Sequence, residues 1–403
     1  MGRLVTTGAV VLAILAVSVT GCGSNRNGEA LHPSVLTEAG LQYYWQLPLA
    51  LDSGESIVYL EQIDENLYCL TDSNRLIAID AVKGLPKWYY AVGEKSATVF
   101  HPVHADKLRL TAETGGIKEI RQPVPAGRLE PFDAVLINTL SYVLVIDRSN
   151  GQLRRKIPFD FAANTTGTCD GTYFYVGSTK GWYYAIRLNE AVKEWWHSAN
   201  GMITAPIEKF RGSIYIADDT GTIIATRTSA GGRKVWKQQL RGAVTGKFHV
   251  DQRGCFVASD DNRLYAFSLT DGQPLWEQPF VCEGPLRDPV QVAEYTIFQF
   301  ARRDKFYAVN LVTGKQRWTL PDGRKVLAVM DGQVYVLSAG NGLLIVDEML
   351  GTVKTEVPLT GWELSAGNTD KPAIYVASGS GKVACIRKVS AGRLTTDLLG
   401  ERL

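Results

Sequence analysis

The 403-residue sequence has almost no net charge to act with: 43 lysines and arginines face 41 aspartates and glutamates. No basic stripe stands out, so a nucleic-acid partner is not expected. Cysteine is scarce and scattered, with Cys69, Cys169, Cys255, Cys282 and Cys385 isolated from one another and Cys22 near the start. Five is an odd number, so at least one thiol stays unpaired within a monomer, and buried strand cysteines are the expectation. G-x-S-x-G, the phosphate-binding P-loop and a Cys/His pair at catalytic spacing are all missing. The apolar run at the start, roughly Gly8–Val17, is shorter than the about 20 residues that a spanning helix needs. Beyond "GSNRNGE" (23–29) there is no low-complexity segment.

What the sequence has in abundance is repetition. "LYAFSLTDGQPLW" (264–276) returns as "FYAVNLVTGKQRW" (306–318), and related stretches are "IAIDAVKGLPKW" (77–88), "YAIRLNEAVKEW" (184–195) and "IATRTSAGGRKVW" (224–236). Alanine precedes tryptophan by ten positions in four of the five: Ala78 and Trp88, Ala185 and Trp195, Ala266 and Trp276, Ala308 and Trp318. Ala225 and Trp236 are one residue further apart. Copies without the tryptophan begin at 144, 344 and 384, with Arg155, Thr355 and Thr396 in its place, which makes eight. Each is preceded by a strand-like run such as "IYIADDTG" (214–221), and these runs start about 40 residues apart except for one gap of 67.

β-Branched and aromatic runs closed by Asn, Asp or Gly read as strands and turns. "TDGQ", "VTGK" and "SNGQ" place a glycine where a short hairpin needs positive φ. A repeat of about 40 residues holds four strands, and four strands per repeat make a propeller blade. The fold class is therefore all-β, a single eight-bladed β-propeller with four antiparallel strands per blade, because propellers grow by adding blades rather than domains. Alanine and tryptophan have a construction role here. The inner strand needs one small residue where an indole is to lie, and a buried indole covers about 150–250 Å² while its N–H can reach a backbone carbonyl.

A-x-D-x-x-T-G-x-x-x-W resembles the tryptophan-docking repeat of the pyrroloquinoline-quinone-type (PQQ-like) propellers, and the resemblance covers about residues 40–399. Blades two, seven and eight, which lack the tryptophan, are expected to pack differently or more loosely. Quinoprotein dehydrogenases in that family carry an adjacent cysteine pair over the quinone and a calcium site with a catalytic aspartate. This sequence has no such pair, and the expectation is no cofactor and no enzyme activity. "HPVHAD" (101–106) offers His101, His104 and Asp106, but H-x-x-H without a helix is a weak metal signal, and an exposed loop is expected. "RRD" (302–304) and the "DD" pairs at 218–219 and 260–261 read as solvated hairpin residues.

The ends of the chain carry further expectations. "MGRLVTTGAVVLAILAVSVTGC" is a short export signal, and its V-T-G-C ending resembles the bacterial lipoprotein signal, in which Cys22 is acylated and becomes the mature N-terminus. Gly23 stands where the inner-membrane retention signal would place aspartate, so the resemblance implies the outer membrane. The domain plan is thus 1–21 signal peptide, 22–40 flexible tether and 41–399 propeller, with an insertion at 94–133. "LQYYWQLPL" (41–49) and "RLTTDLL" (393–399) both suit the closing strand of the last blade, and a five-stranded blade is a third solution.

Propeller and signal together resemble the BamB-like lipoprotein propellers of the outer-membrane β-barrel assembly machinery. That resemblance implies a protein-interaction scaffold of the cell envelope, with other envelope proteins, including a β-barrel assembly complex, as partners and a membrane anchor at Cys22. The insertion, with "RQPVPAGRLEPF" (121–132), departs from the family and is the expected contact element. Two other readings stay open: a ligand-binding or sensory propeller holding a glycan or quinone-like compound in its channel, and a quinone-dependent dehydrogenase.

Overall fold

The structure, a computed structural model, describes residues 31–110, 130–229 and 231–394. Among these residues thirty-two strands form eight four-stranded antiparallel sheets, each a blade. Blades one to seven are built from consecutive strands over residues 57–91, 103–158, 168–198, 208–239, 249–281, 291–320 and 323–358. The first strands of successive blades touch one another, as Ile57–Ile63 does Leu364–Ser365 and Glu208–Phe210 does His249–Asp251, so they ring the central axis. Second and third strands are buried on both faces and read as continuous apolar runs, Ser213–Ala217 among them.

Blade eight takes three strands from the end of the chain and its outer strand, Leu41–Pro48, from the beginning, paired antiparallel to Lys382–Lys388. Residues 41–49 therefore win the closing position, and no fifth strand is added. Closure also supplies the missing tryptophan of this blade. Trp45 pairs with Cys385 as Trp318 pairs with Ala308, each tryptophan preceded in its own strand by a one-residue bulge. The expected substitute at 396 lies outside the described residues.

Two boundaries of the expected plan are corrected. Residues 31–40 are not tether: Pro33–Glu38 form a short helix, entered through Pro33 and capped by His32, and Leu31 and Leu36 are buried against blades seven and eight. Apolar Leu31, Leu36 and Leu41 at a step of five carry that docking. The supposed insertion 94–133 is largely blade: Val103–Leu108 is the first strand of blade two and Phe132–Asn138 its second, leaving only residues 109–131 between them. The three copies without tryptophan are tightly filled rather than loose. In blade seven Ile345 faces Thr355, exchanging the large and small partners, and Trp362, Leu31 and Leu36 join that cluster. In blade two Val145 faces Arg155, whose Nη1 donates to the carbonyl of Leu188 at 2.8 Å.

Candidate interaction surfaces

The tryptophan-docking residues are structural joints between blades. Trp88, Trp195, Trp236, Trp276 and Trp318 are all buried, and Ala78, Ala185, Ala225 and Ala308 are their direct cross-strand partners. In blade five the outer strand is displaced, and it is the Leu275 amide that donates to Ala266. The indole N–H groups of Trp45, Trp88, Trp236, Trp276 and Trp318 donate to the carbonyls of Ala81, Arg148, Leu269, Leu311 and Glu348, each in the next blade. Leu188 holds the same place in blade three, so Arg155 reproduces the indole's hydrogen bond with a guanidinium. The turn glycine of the next blade closes the joint: Gly314 has φ +68°, and a Cβ there would come within 2.5 Å of the Trp276 ring. Trp195 differs, because the turn after Ala225 is one residue longer, and its indole nitrogen has no partner among the described residues. Cys22 lies outside the described residues.

"HPVHAD" is exposed at His101 and Asp106, as expected, but it is not a loop, because Val103–Leu108 is a strand. His101 Nδ1 donates to the Tyr59 hydroxyl at 2.9 Å, which donates in turn to Glu61, near the central axis. His104 points elsewhere, into a network on the side of the propeller where the insertion begins. Lys87 holds the Asn66 carbonyl oxygen, so the Asn66 amide donates to Tyr68, Tyr68 donates to His104 Nε2 at 2.7 Å, and Nδ1–H donates to Asp64 at 2.7 Å. Burial lowers the His104 pKa, partly offset by Asp64, so the ring is neutral, and the Arg148 guanidinium reaches the same Nδ1 at 2.9 Å.

Asp64, Glu65 and His104 bring ligand atoms within 4.8 Å of one another, and no local motif marks the two acids as neighbours of the histidine. The Arg148 guanidinium already occupies this ground, 3.1 Å from Glu65, 2.9 Å from Asp106 and 3.0 Å from Asp133. The cluster is thus an ionic clamp joining the inner hairpin of blade one to the feet of the insertion. Arg148 also gives its backbone carbonyl to Trp88, so one residue serves both joints.

The "DD" pair of blade four is another correction. Asp218 is fully buried and accepts from the amides of Asn200, Gly201, Thr220 and Thr222, tying its own turn to the incoming connector. Around the axis the charged groups have partners: Lys247 lies 3.7 Å from Glu208, and Lys325 donates to the Ser365 carbonyl at 2.5 Å. Burial pulls the Lys325 amine down to about 8, against the pull of Glu61. All five described cysteines are buried and unbridged, and burial pushes Cys69, Cys169 and Cys385 up to about 12, which leaves them unreactive thiols. Among the described residues no helix is long and apolar enough to cross a membrane.

Comparison with known proteins agrees with this architecture. The crystal structure of BamB from Moraxella catarrhalis superposes with a TM-score of 0.62 at 16% identity, covering 86% of this chain and 97% of that one. The computationally designed Ika8 protein matches equally well in shape, with a TM-score of 0.62 at 11% identity over 82% of this chain and 96% of its own. At such identities the likeness speaks for the fold alone. No curated protein sequence matches the chain. A family model does: that of the outer membrane protein assembly factor BamB matches residues 188–284 and 275–398, more than half of the chain. With eight four-stranded blades, six of them docked by tryptophan and the last closed by the first strand, the chain belongs to the BamB family of PQQ-like propellers.

Proposed function

We propose that the protein is a non-catalytic scaffold of the cell envelope, held by a lipid anchor at Cys22 to the periplasmic face of the outer membrane, where it binds other proteins during outer-membrane protein assembly. The observation that carries this reading is the assembly-factor family match over residues 188–398. The fold is suited to it: a ring locked between every pair of blades presents its turns and connectors as fixed recognition loops. Along the axis Lys247 is paired with Glu208 and Lys325 is held by a backbone carbonyl, which favours a scaffold over a channel ligand site. A bacterial lipoprotein cysteine carries several acyl chains, and two or more anchor stably where one does not.

The test is affinity capture from detergent-solubilised envelopes of the source cell with the intact lipoprotein as bait. Retention of a β-barrel assembly component supports the reading. Capture of none, or reduction of an artificial electron acceptor after addition of quinone and calcium, replaces it with the sensory or the enzymatic alternative.

A further inference from the structure

The internal repeat makes one departure visible. In five blades a tyrosine on the second strand stands opposite the docking position of the third: Tyr68, Tyr175, Tyr215, Tyr335 and Tyr375 face Ala78, Ala185, Ala225, Ile345 and Cys385. Four of these hydroxyls are spent inside the protein, on His104, Asp170, Gln333 and the Ala81 carbonyl. Tyr215 is 2% exposed, lines a cleft of about 400 Å³ between blades four and five, and its hydroxyl has no hydrogen-bond partner among the described residues. The ring is buried while the hydroxyl opens onto the cleft, which leaves one donor available to a group from outside the chain.

Beside it the repeat changes again. Two residues after the docking position, blades one, two, six and seven place Asp80, Asp147, Asn310 and Asp347, whose side chains accept the amides of the following turn. Blades three, four and eight have arginine there. Arg187 is taken by Glu194 at 2.6 Å, and Arg387 lies over the Tyr44 ring at 4.1 Å. Arg227 has neither, and it lines the same cleft as Tyr215. Arg211, at the tip of the blade-four hairpin, lines it too and makes no ion pair, resting on the Phe210 ring at 5.1 Å. The third arginine, Arg253, is already consumed by Asp251 and the carbonyls of Ala293 and Glu294. Two unmatched guanidinium groups and one unspent hydroxyl therefore converge, all of them donors, with Ser213, Ser268 and Thr270 around them. Burial pushes the Tyr215 hydroxyl up to about 12, so it remains a donor at neutral pH.

We propose that the cleft between blades four and five is a docking site for an acidic side chain of a partner protein, held by Arg211, Arg227 and the Tyr215 hydroxyl. This rests on the scaffold reading above. Planar guanidinium forks match a carboxylate in two-point contact. A lipid phosphate shares the charge, but the apolar wall of the cleft is Leu269, Leu275, 44% exposed, and Phe210, too small to hold acyl chains. A leucine-sized wall next to a double donor suits a peptide segment with an acid beside an apolar residue.

The site is tested with the full chain and a fluorescein-labelled octapeptide alternating leucine and glutamate, set against the same peptide with glutamine and against phosphatidylglycerol vesicles. Salt-sensitive binding of the glutamate peptide, weakened at least tenfold by Arg227→Glu or Arg211→Glu and severalfold by Tyr215→Phe, is expected. Tyr215→Phe removes no internal hydrogen bond, so its thermal transition should match the parent and a loss of binding is not a loss of folding. No binding by the parent chain, equal binding of the glutamine peptide, equal binding by the three variants, or binding of vesicles only overturns the proposal. Envelope capture separates the two levels: if the Arg211→Glu, Arg227→Glu double variant retains the same partner as the parent, the cleft is wrong and the scaffold stands, whereas a parent that retains nothing removes the scaffold itself.

Discussion

Trp45 donates its indole N–H to the carbonyl of Ala81 at 3.1 Å, and so the first strand of the chain, sitting in the last blade, is bonded to the first. Beside it a Cβ at Gly84 would come within 2.4 Å of the Trp45 ring, so glycine is needed there for space as well as for its φ of +67°. Ring closure thereby uses the same joint as blades one, four, five and six. Trp45→Ala should cost about 3–5 kcal/mol in a urea titration, as Trp276→Ala should, because each empties a buried ring site. A change near zero at either position means that the indole is not a core element.

Arg155 is expected to be as specific as the tryptophan it replaces. Arg155→Met keeps most of the volume but leaves the Leu188 carbonyl without its donor, and should lower stability by about 1–3 kcal/mol. Arg155→Trp is the informative comparison by thermal denaturation: recovery of the parent transition shows that an indole fits blade two, and a larger loss shows that Val145 has closed the space.

Acid should open the ring at its seam. Glu55, in the connector from the closing strand to blade one, is pushed up by burial but held down to about 2 by hydrogen bonds from Ser73, Thr71, the Asp52 amide and Arg75. Its folded pKa lies below its unfolded one, so the stabilisation is complete above the ordinary carboxylate range and is lost as the pH falls toward 2. Urea midpoints measured from pH 6 to pH 2.5 should fall more steeply for the parent than for Glu55→Gln, which begins lower. Parallel curves dispose of the idea.

Removing the insertion and removing blade two are different operations. Replacing residues 111–129 by a short glycine-serine linker should leave the thermal transition nearly unchanged while weakening partner retention in envelope capture. Deleting 96–130 takes Val103–Leu108 with it, exposes the second strand of blade two and breaks the Arg148 clamp through the loss of Asp106, so the transition should fall sharply. Equal melting of the two deletions contradicts the assignment of that strand.

Cys22→Ser should release a folded, exported protein into the soluble fraction, followed by sedimentation after a high-salt wash. Complete retention with membranes means that another surface holds it there.

The number of blades, the order of strands within most of them and five of the docking tryptophans follow from the sequence alone, because each blade is a local unit whose turns, alternation and alanine-to-tryptophan spacing lie within about 40 residues. Trp276 and Gly314 were legible as motif letters for that reason. That they meet each other was not, since the contact joins one repeat to the next and depends on how blades stack. The same limit hid the pairing of Trp45 with Cys385, residues 340 positions apart. The docking of Leu31 and Leu36 was also hidden, since a six-residue helix has too little periodicity to signal itself. Val103–Leu108 was mistaken for loop because its partner strand begins 24 residues after it ends, at Phe132, beyond any hairpin rule. The cleft at Tyr215, Arg211 and Arg227 depends most on tertiary structure: nothing in the local sequence marks a tyrosine hydroxyl as unspent until four equivalent tyrosines are seen to have partners and this one is not. Local chemistry determined the blades, and the unpaired donors left where two of them meet were decided by packing, because a hydrogen bond is satisfied or not only in three dimensions.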